Sequence, residues 1–476
     1  MRRLATACLV LVSVSAVAQV AQPGRPLQSI IDDYVREALA SNLALRSQSL
    51  DVERQLALVA EARSRFLPQL GLDARYTWAD GGREFDLPIG SLINPAYQTL
   101  NELLAANGEP PRFDTVSDTS FRFLRDREQD TRLTLRQPLY SPAIPAAFRA
   151  QSAALSSTQF AREALGRRLE RDVTVGYLDW LRARSSVEIV ESSLGLLTEN
   201  LRVNDSLYAN GRVTQDQVLR ARAELLEVQQ QRREAANLAA RSGQLVNFLL
   251  NRALDAPLEI ATTASRDAAA TEAAMVSDDE DLRKGALDRR PELGELAALT
   301  RAAEYQVRQQ RAARQPQVSI GLDAGIQGED YGFGSGYNFG TASVQFTLPL
   351  FDGGAIRARV NAARAVARQA AVRREETARQ IELEVQQALD QLRTAADSLA
   401  TAEARAEAAR AGFRIASSKR DLGVISQVVF LDARNALTGA ELNLNLTRFA
   451  LLSRQADLSY ATAVTTVPLP SGVVVP

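Results

Sequence analysis

The chain has no histidine, one cysteine and only two lysines, Lys284 and Lys419, among 476 residues. These shortages remove the usual zinc ligands, the base of a Ser-His triad and the common Schiff-base nucleophile. Carboxylates and hydroxyls are the only catalytic groups left, and nothing calls for a cofactor or a metal. Charge of one sign is lacking too: 56 Lys+Arg against 57 Asp+Glu give a net charge of -1. A near-neutral chain offers no general electrostatic case for a nucleic-acid partner. Glycine (26) and proline (17) are sparse, while Ala, Arg, Gln, Glu and Leu crowd several long stretches. That is the composition of long helices and coiled coils.

Long apolar runs are also missing. Met1-Arg2-Arg3 is followed by an apolar run from Leu4 to about Val17, closed by Ala16-Val17-Ala18 as a small-x-small cleavage site before Gln19. The run is too short to span a bilayer and reads as a secretory signal peptide over residues 1–18. Cys8 lies inside it, so the mature chain is expected to hold neither disulfide nor lipid anchor. No other stretch approaches about 18 apolar residues, which leaves an exported chain that is either soluble or a β-barrel protein.

What the chain does have is an internal repeat. Leu67-Pro68-Gln69-Leu70-Gly71-Leu72-Asp73 resembles Gln315-Pro316-Gln317-Val318-Ser319-Ile320-Gly321. Gln137-Pro138-Leu139-Tyr140-Ser141 matches Leu348-Pro349-Leu350-Phe351-Asp352, 211 positions on. Tyr208-Ala209-Asn210-Gly211-Arg212-Val213-Thr214 matches Arg420-Asp421-Leu422-Gly423-Val424-Ile425-Ser426, 212 positions on. Landmarks in one order, the last two at nearly one offset, make the chain a tandem duplication of helix, strand, strand, long helix, turn, long helix. The first repeat is placed at residues 19–254 and the second at 286–464. A polar connection at 255–285 lies between them, and a tail at 465–476 follows.

Strands are predicted at about 70–80, 130–140, 318–327 and 339–350. In the second repeat Val318, Ile320, Leu322, Ala324 and Ile326 share one face, opposed by Ser319, Gly321, Asp323, Gly325 and Gln327. Gly340, Ala342, Val344, Phe346 and Leu348 likewise oppose Thr341, Ser343, Gln345 and Thr347. Such alternation fits a soluble sandwich as well as a barrel. Length and aromatic placement favour tilted membrane strands, with Tyr76, Trp78, Tyr337 and Phe339 at one level and Phe66, Tyr140 and Phe351 at the other. Residues 81–129 and 328–338 then become loops on one side, with a short helix from Pro95 to Ala106 in the longer one.

Two rods follow the strand pairs, from Pro142 to about Tyr208 and from Ala355 to about Arg420, each roughly 100 Å long if helical throughout. Apolar residues recur at alternating spacings of three and four, as at Val187, Val190, Leu194, Leu197 and Leu201, or at Ile381, Val385, Ala388, Leu392, Ala395, Leu399 and Ala402. This is a coiled-coil seam. Val218, Ala221, Leu225 and Val228, and Phe430, Ala433, Leu437, Ala440 and Leu444, mark the returning helices. Each rod therefore folds back as an antiparallel hairpin, with Gly211 and Gly423 free to take positive φ at the reversals. Thr214 and Ser426 are placed to cap the helices that follow. A plain reading as well-made turns accounts for most of this signal.

With both repeats laid out, the sequence resembles the TolC-like outer-membrane efflux proteins from about Leu27 to Val464. The most specific parts are the strand exit Leu348-Pro349-Leu350-Phe351-Asp352-Gly353-Gly354 and the two Gly-containing tips. The resemblance implies an α+β membrane protein. Three copies would each give four strands to one shared 12-stranded β-barrel, continued by a periplasmic α-helical tunnel. Its function would be that of a passive export duct in the outer membrane of a Gram-negative bacterium, serving a tripartite efflux or type I secretion system. The implied partners are outer-membrane lipid, a periplasmic adaptor docking at Gly211, Thr214, Gly423 and Ser426, and an inner-membrane pump that supplies the energy.

The resemblance also marks Pro138, Pro349, Gly353 and Gly354 as strand-to-helix exits, and Asp432 with Arg420 as candidate residues of a periplasmic gate. The family pattern often has tyrosine three residues before the tip glycine and arginine two after it. Arg420 and Ile425 stand there instead, so the gate network is partial at best, and Asp432 also fits a solvated site or an intra-helix ion pair. Two rival readings stand against the duct. A periplasmic adaptor or scaffold would carry one hairpin between split β segments, where this chain has two hairpins and paired amphipathic strands. A carboxylate-based glycosidase would need a compact pocket that rod-like helices leave little chain to build.

Overall fold

The computed structural model describes residues 25–261 and 278–464. The signal-peptide reading of 1–18, the middle of the 255–285 connection and the 465–476 tail lie outside the described residues. Two compact units divide the chain: Leu56–Ala154 with Thr300–Gln369, and the remainder.

The first of these units holds the sheet. Strands β1 (Gln69–Trp78), β4 (Arg127–Tyr140), β5 (Gln317–Gly328) and β6 (Asn338–Thr347) pair antiparallel in the order β1-β4-β5-β6. One row across all four reads Leu70, Leu135, Leu322, Ala342, and the next reads Gly71, Thr134, Asp323, Thr341. Alternation along each strand thus builds one apolar and one polar face. The apolar face is uncovered: Leu72 is 71% and Val344 70% exposed. Tyr76 and Trp78 are exposed on the apolar side. Phe339 pairs with Gly325, which is opposite Arg132, and so belongs to the polar face, where the Arg132 guanidinium lies 5.4 Å from its ring centre. It does not share the face of Tyr76, because the period of two that puts Gly340 and Ala342 on the apolar face turns Phe339 the other way.

Between β1 and β4 the chain makes an antiparallel ribbon of β2 (Glu84–Leu87) with β3 (Thr119–Arg122), and a helix α3 (Ile89–Ala106). The helix begins six residues before Pro95, the start suggested by the sequence, because Pro88 supplies the entry. Asn94 exchanges hydrogen bonds with the Val116 backbone, both at 2.8 Å, and Asn101 binds the backbone of Arg112 and Phe113.

The other unit is helical. Its elements include α1 (Leu27–Ser41), the 35-residue α5 (Gln215–Leu249), α6 (Asp279–Arg289) and the 36-residue α9 (Gln427–Thr462). Helix α2 (Leu43–Ser64) leads into β1 and α7 (Pro291–Ala312) into β5. Helices α4 (Ala143–Ala209) and α8 (Ala355–Asp421) are unbroken over 67 residues each, about 100 Å at 1.5 Å per residue. The expected seams are the ones buried. Val190 and Leu197 pack with Leu225 and Val228, and Ile381, Val385 and Leu392 form a second cluster with Leu458. Burial of such stripes, rather than intrinsic propensity, is what holds helices of this length.

Helix α1 lays Leu27, Ile30, Tyr34 and Val35 against Leu169, Val173, Tyr177 and Leu178 of α4 and Val246 and Leu250 of α5. Two tyrosines in edge contact, ring centres 5.3 Å apart, hold the chain just past α5. Tyr177 Oη donates to Glu259 O at 2.8 Å, and Glu259 N donates to Tyr34 Oη at 2.9 Å. Burial pushes the Tyr177 hydroxyl well above its ordinary pKa, so it stays a neutral donor. Tyr177→Phe leaves the Glu259 carbonyl without this donor and is expected to destabilise the protein by about 1 kcal/mol. The check is the temperature at which the helical circular dichroism signal is lost.

Candidate functional site

Both long helices end in the same turn. Gly211 takes φ 67°, with Arg212 N donating to Leu207 O at 2.9 Å and Gly211 N to Tyr208 O at 2.9 Å. Gly423 takes φ 70°, with Val424 N donating to Lys419 O and Gly423 N to Arg420 O, both at 2.8 Å. This is the Schellman closure, in which one left-handed residue satisfies the last helical carbonyls, a conformation that glycine alone adopts without a Cβ penalty. Thr214 and Ser426 stand at the N-cap positions of α5 and α9 in extended conformation, ψ 158° in each. Neither side chain caps its helix. Thr214 Oγ1 turns instead to the Asp216 carboxylate. The expected caps are therefore caps in backbone geometry only.

Around these turns the tips display apolar side chains that folding does not bury. Leu422 is 78% and Val424 69% exposed, and Tyr208, Val428 and Val429 are exposed as well. Behind this surface Arg420 Cζ sits 4.0 Å from the ring centre of buried Phe430, which packs on Phe413 at 5.6 Å. Arg420 Nη2 also donates to Asp421 Oδ1 at 2.9 Å. Asp432 is exposed and, among the described residues, has no ion-pair partner. The two candidate gate residues are thus not brought together within one protomer.

A different charged group is brought into the packing. Arg434 of α9 is 2% exposed, and its Nη2 donates to Glu224 Oε1 of α5 at 3.0 Å, while Nε and Nη1 have no partner. Burial lowers its pKa, with the Glu224 charge opposing that shift, and the guanidinium remains a cation. Further polar ties join the second hairpin to the first. Gln427 Nε2 donates to Asn200 Oδ1 at 2.6 Å, Ser193 and Thr438 hydroxyls meet at 2.9 Å, and Asn445 Nδ2 reaches Arg182 O at 2.9 Å. The seam reading of α9 placed Ala433 and Leu437 inward. The fully buried positions include Phe430, Arg434, Ala440, Leu444 and Asn445, because α9 packs on α8 and on the first hairpin at once. Arg434 lies four residues after Phe430 and so shares its face of α9.

Of the residues marked as strand-to-helix exits, Pro138 lies inside β4, two residues before its end, and the others lie between β6 and α8. At Pro138 the β4–β5 register shifts before Tyr140, as expected where a residue has no N–H for the ladder. Pro349 lies in the link after β6, and Gly353 and Gly354 follow it with φ 63° and 88°. The Asp352 carboxylate accepts from Ile356 N at 2.6 Å and Gly354 N at 3.0 Å, which starts α8 and holds the carboxyl below its usual pKa. On the polar face of the sheet Asp323 accepts from Arg136 at 2.9 Å and from Thr341 at 3.3 Å, and Arg132 Nε donates to Asp130 at 2.8 Å. No cluster of acidic residues or cysteine able to hold a metal occurs among the described residues. What the geometry offers is one water-compatible face, one apolar face and two matched hairpin tips.

The family model for outer membrane efflux proteins matches residues 34–252 and 282–464. The chain belongs to the outer membrane efflux protein family, and it is an outer-membrane duct that extends into the periplasm. It is 26% identical over 374 residues to the alkaline protease secretion protein AprF of Pseudomonas aeruginosa, covering 74% of this chain and 73% of that one. It is 25% identical over 309 residues to the toluene efflux pump outer membrane protein TtgC of Pseudomonas putida, covering 64% and 62%. The fold matches the Campylobacter jejuni CmeC outer membrane channel with a TM-score of 0.71 at 19% identity, over 92% of this chain and 85% of that one.

Proposed function

We propose that three copies of the chain close one barrel and form a passive duct through which an inner-membrane pump, coupled by a periplasmic adaptor, drives its cargo. One observation carries this reading: the four-stranded sheet has two unpaired edges, β1 and β6, and an uncovered apolar face. Unpaired amide groups cannot face hydrocarbon, so the sheet can enter lipid only when other copies complete it. The polar face, lined by Arg132, Arg136, Asp323 and Thr341, then surrounds water. Such a lining performs no catalytic step, and the choice of cargo, protein or small molecule, rests with the pump. The adaptor docks on the tips at Gly211, Thr214, Gly423 and Ser426, where the exposed apolar residues supply contact area. Asp432 serves the gate between copies, where its exposure leaves it free to meet a neighbouring protomer.

Gly211→Leu and Gly423→Leu test the docking. A Cβ at either glycine meets nothing within 4 Å, so the cost is conformational, about 1–2 kcal/mol for a left-handed residue. Normal amounts of trimer are expected in the outer membrane, with reduced export and reduced crosslinking to the adaptor, more severely at Gly423. Export and crosslinking at wild-type levels in both variants would place docking elsewhere. Light scattering of the detergent-extracted protein tests the trimer separately, and a monodisperse monomer would end the barrel reading.

A further inference from the structure

We infer that Arg308 and Arg311 of α7, with Arg364 and Arg368 of α8, form a binding groove for the phosphate of an anionic phospholipid in the periplasmic leaflet. The four guanidiniums line one groove of about 720 Å³, together with Val307, Ala367, Asn361 and a single carboxylate, Glu304. Among the described residues none of the four has an ion-pair partner. Arg308 lies over the Tyr305 ring at 5.0 Å, and Arg364 reaches Asn361 Oδ1 at 3.4 Å. Elsewhere the chain commonly pairs its arginines, as in Arg393 with Asp279 at 2.6 Å or Arg171 with Asp457 at 2.8 Å. Residues 355–369 contain four arginines and no carboxylate, and 300–312 contain three with Glu304 alone against them. A groove with this excess of positive charge is completed by an anion, and planar forked donors suit phosphate oxygens.

The position in the chain selects the source. Arg311 lies six residues before Gln317, where β5 begins, and α8 starts eight residues after β6 ends at Thr347. At 1.5 Å per helical residue, Arg368 lies about 20 Å beyond the start of α8, and Arg311 lies one residue before the end of α7 at Ala312. A guanidinium on its long stem reaches a headgroup layer from there, and juxtamembrane arginines attract anionic lipid. The groove floor is apolar, built on buried Val307 above the Ile356 and Val360 cluster, which a soluble anion would not need. This rests on the outer-membrane placement of the strands but not on the docking of any adaptor.

The test uses the purified protein in nanodiscs of zwitterionic phosphatidylcholine with or without one-fifth phosphatidylglycerol. Native mass spectrometry is expected to find phosphatidylglycerol retained on the wild type. The variant carrying Arg308→Gln, Arg311→Gln, Arg364→Gln and Arg368→Gln is expected to retain at least tenfold less, at unchanged oligomer size. Arg357→Gln with Arg359→Gln, outside the groove, is the control and is expected to keep the lipid. Equal retention by the wild type and the four-fold variant would overturn the proposal, as would wild type that does not distinguish the two lipids. Inorganic phosphate that displaces the lipid at millimolar concentration would assign the groove to a free anion instead, and so reject the lipid. If the four-fold variant fails to assemble, Arg364→Gln with Arg368→Gln alone is expected to lower retention severalfold, and an unchanged value rejects the groove.

Discussion

Arginine at Val344 or Phe346 is expected to remove most of the protein from the outer membrane, while arginine at Ser343 or Gln345 leaves it there. Val344 pairs with Ile320 and Phe346 with Val318 on the apolar face, and they are 70% and 63% exposed in the protomer. That exposure is to lipid, where arginine costs about 2–4 kcal/mol at the midplane and less toward the interface. Val344, further from the strand end at Thr347, is therefore the worse site. Ser343 and Gln345 point to the polar face, where Ser343 Oγ donates to Gly321 O at 3.3 Å. The measurement is the amount of heat-modifiable oligomer in the outer-membrane fraction. Equal losses on both faces would mean that the sheet is not lipid-facing on the apolar side.

The second large effect is an asymmetry at the buried ion pair. Glu224→Ala leaves Arg434 inside the hairpin packing without a carboxylate and is expected to destabilise the helical region by about 3 kcal/mol, the usual cost of stranding a buried charge. Arg434→Met removes the charge together with its unpaired Nε and Nη1 and leaves behind Glu224, which is 20% exposed and can reach water, so it is expected to cost less than Glu224→Ala. The double substitution then recovers most of what Glu224→Ala loses. Thermal melts of the three variants decide this. A larger loss in Arg434→Met than in Glu224→Ala would show that the guanidinium contributes packing or bonding beyond its pair.

Much of this architecture was legible because it rests on periods. Spacings of three and four located Val190, Leu197, Ile381, Val385 and Leu392, and a period of two located the apolar rows of β5 and β6. The tips could be found because a helix reversal needs a left-handed residue, and Gly211 and Gly423 stand at equivalent places in the two repeats. Arg434 could not be found the same way. A charged residue two positions from Asp432 reads as solvated, and only the packing of α9 on a second hairpin buries it. Thr214 and Ser426 show the converse limit: their backbone role follows from position, but the rotamer that would complete a cap is set by neighbours such as Asp216. The long start of α3 was hidden by Pro95, which sits inside the helix rather than at its first residue.

The sheet ends in two different strands, β1 on one side and β6 on the other. A ring closed by such edges joins head to tail, so every junction is made by two unlike surfaces of one gene product. Neither edge can drift alone, since a change in β6 is met by the β1 of a neighbour in every ring. A cell making equal amounts of a sound and an edge-damaged version would assemble only about one ring in eight from sound copies throughout, if three subunits mix at random. Damage at either border is therefore shared out rather than diluted, and inheritance of the two strands is tied as closely as their hydrogen bonds.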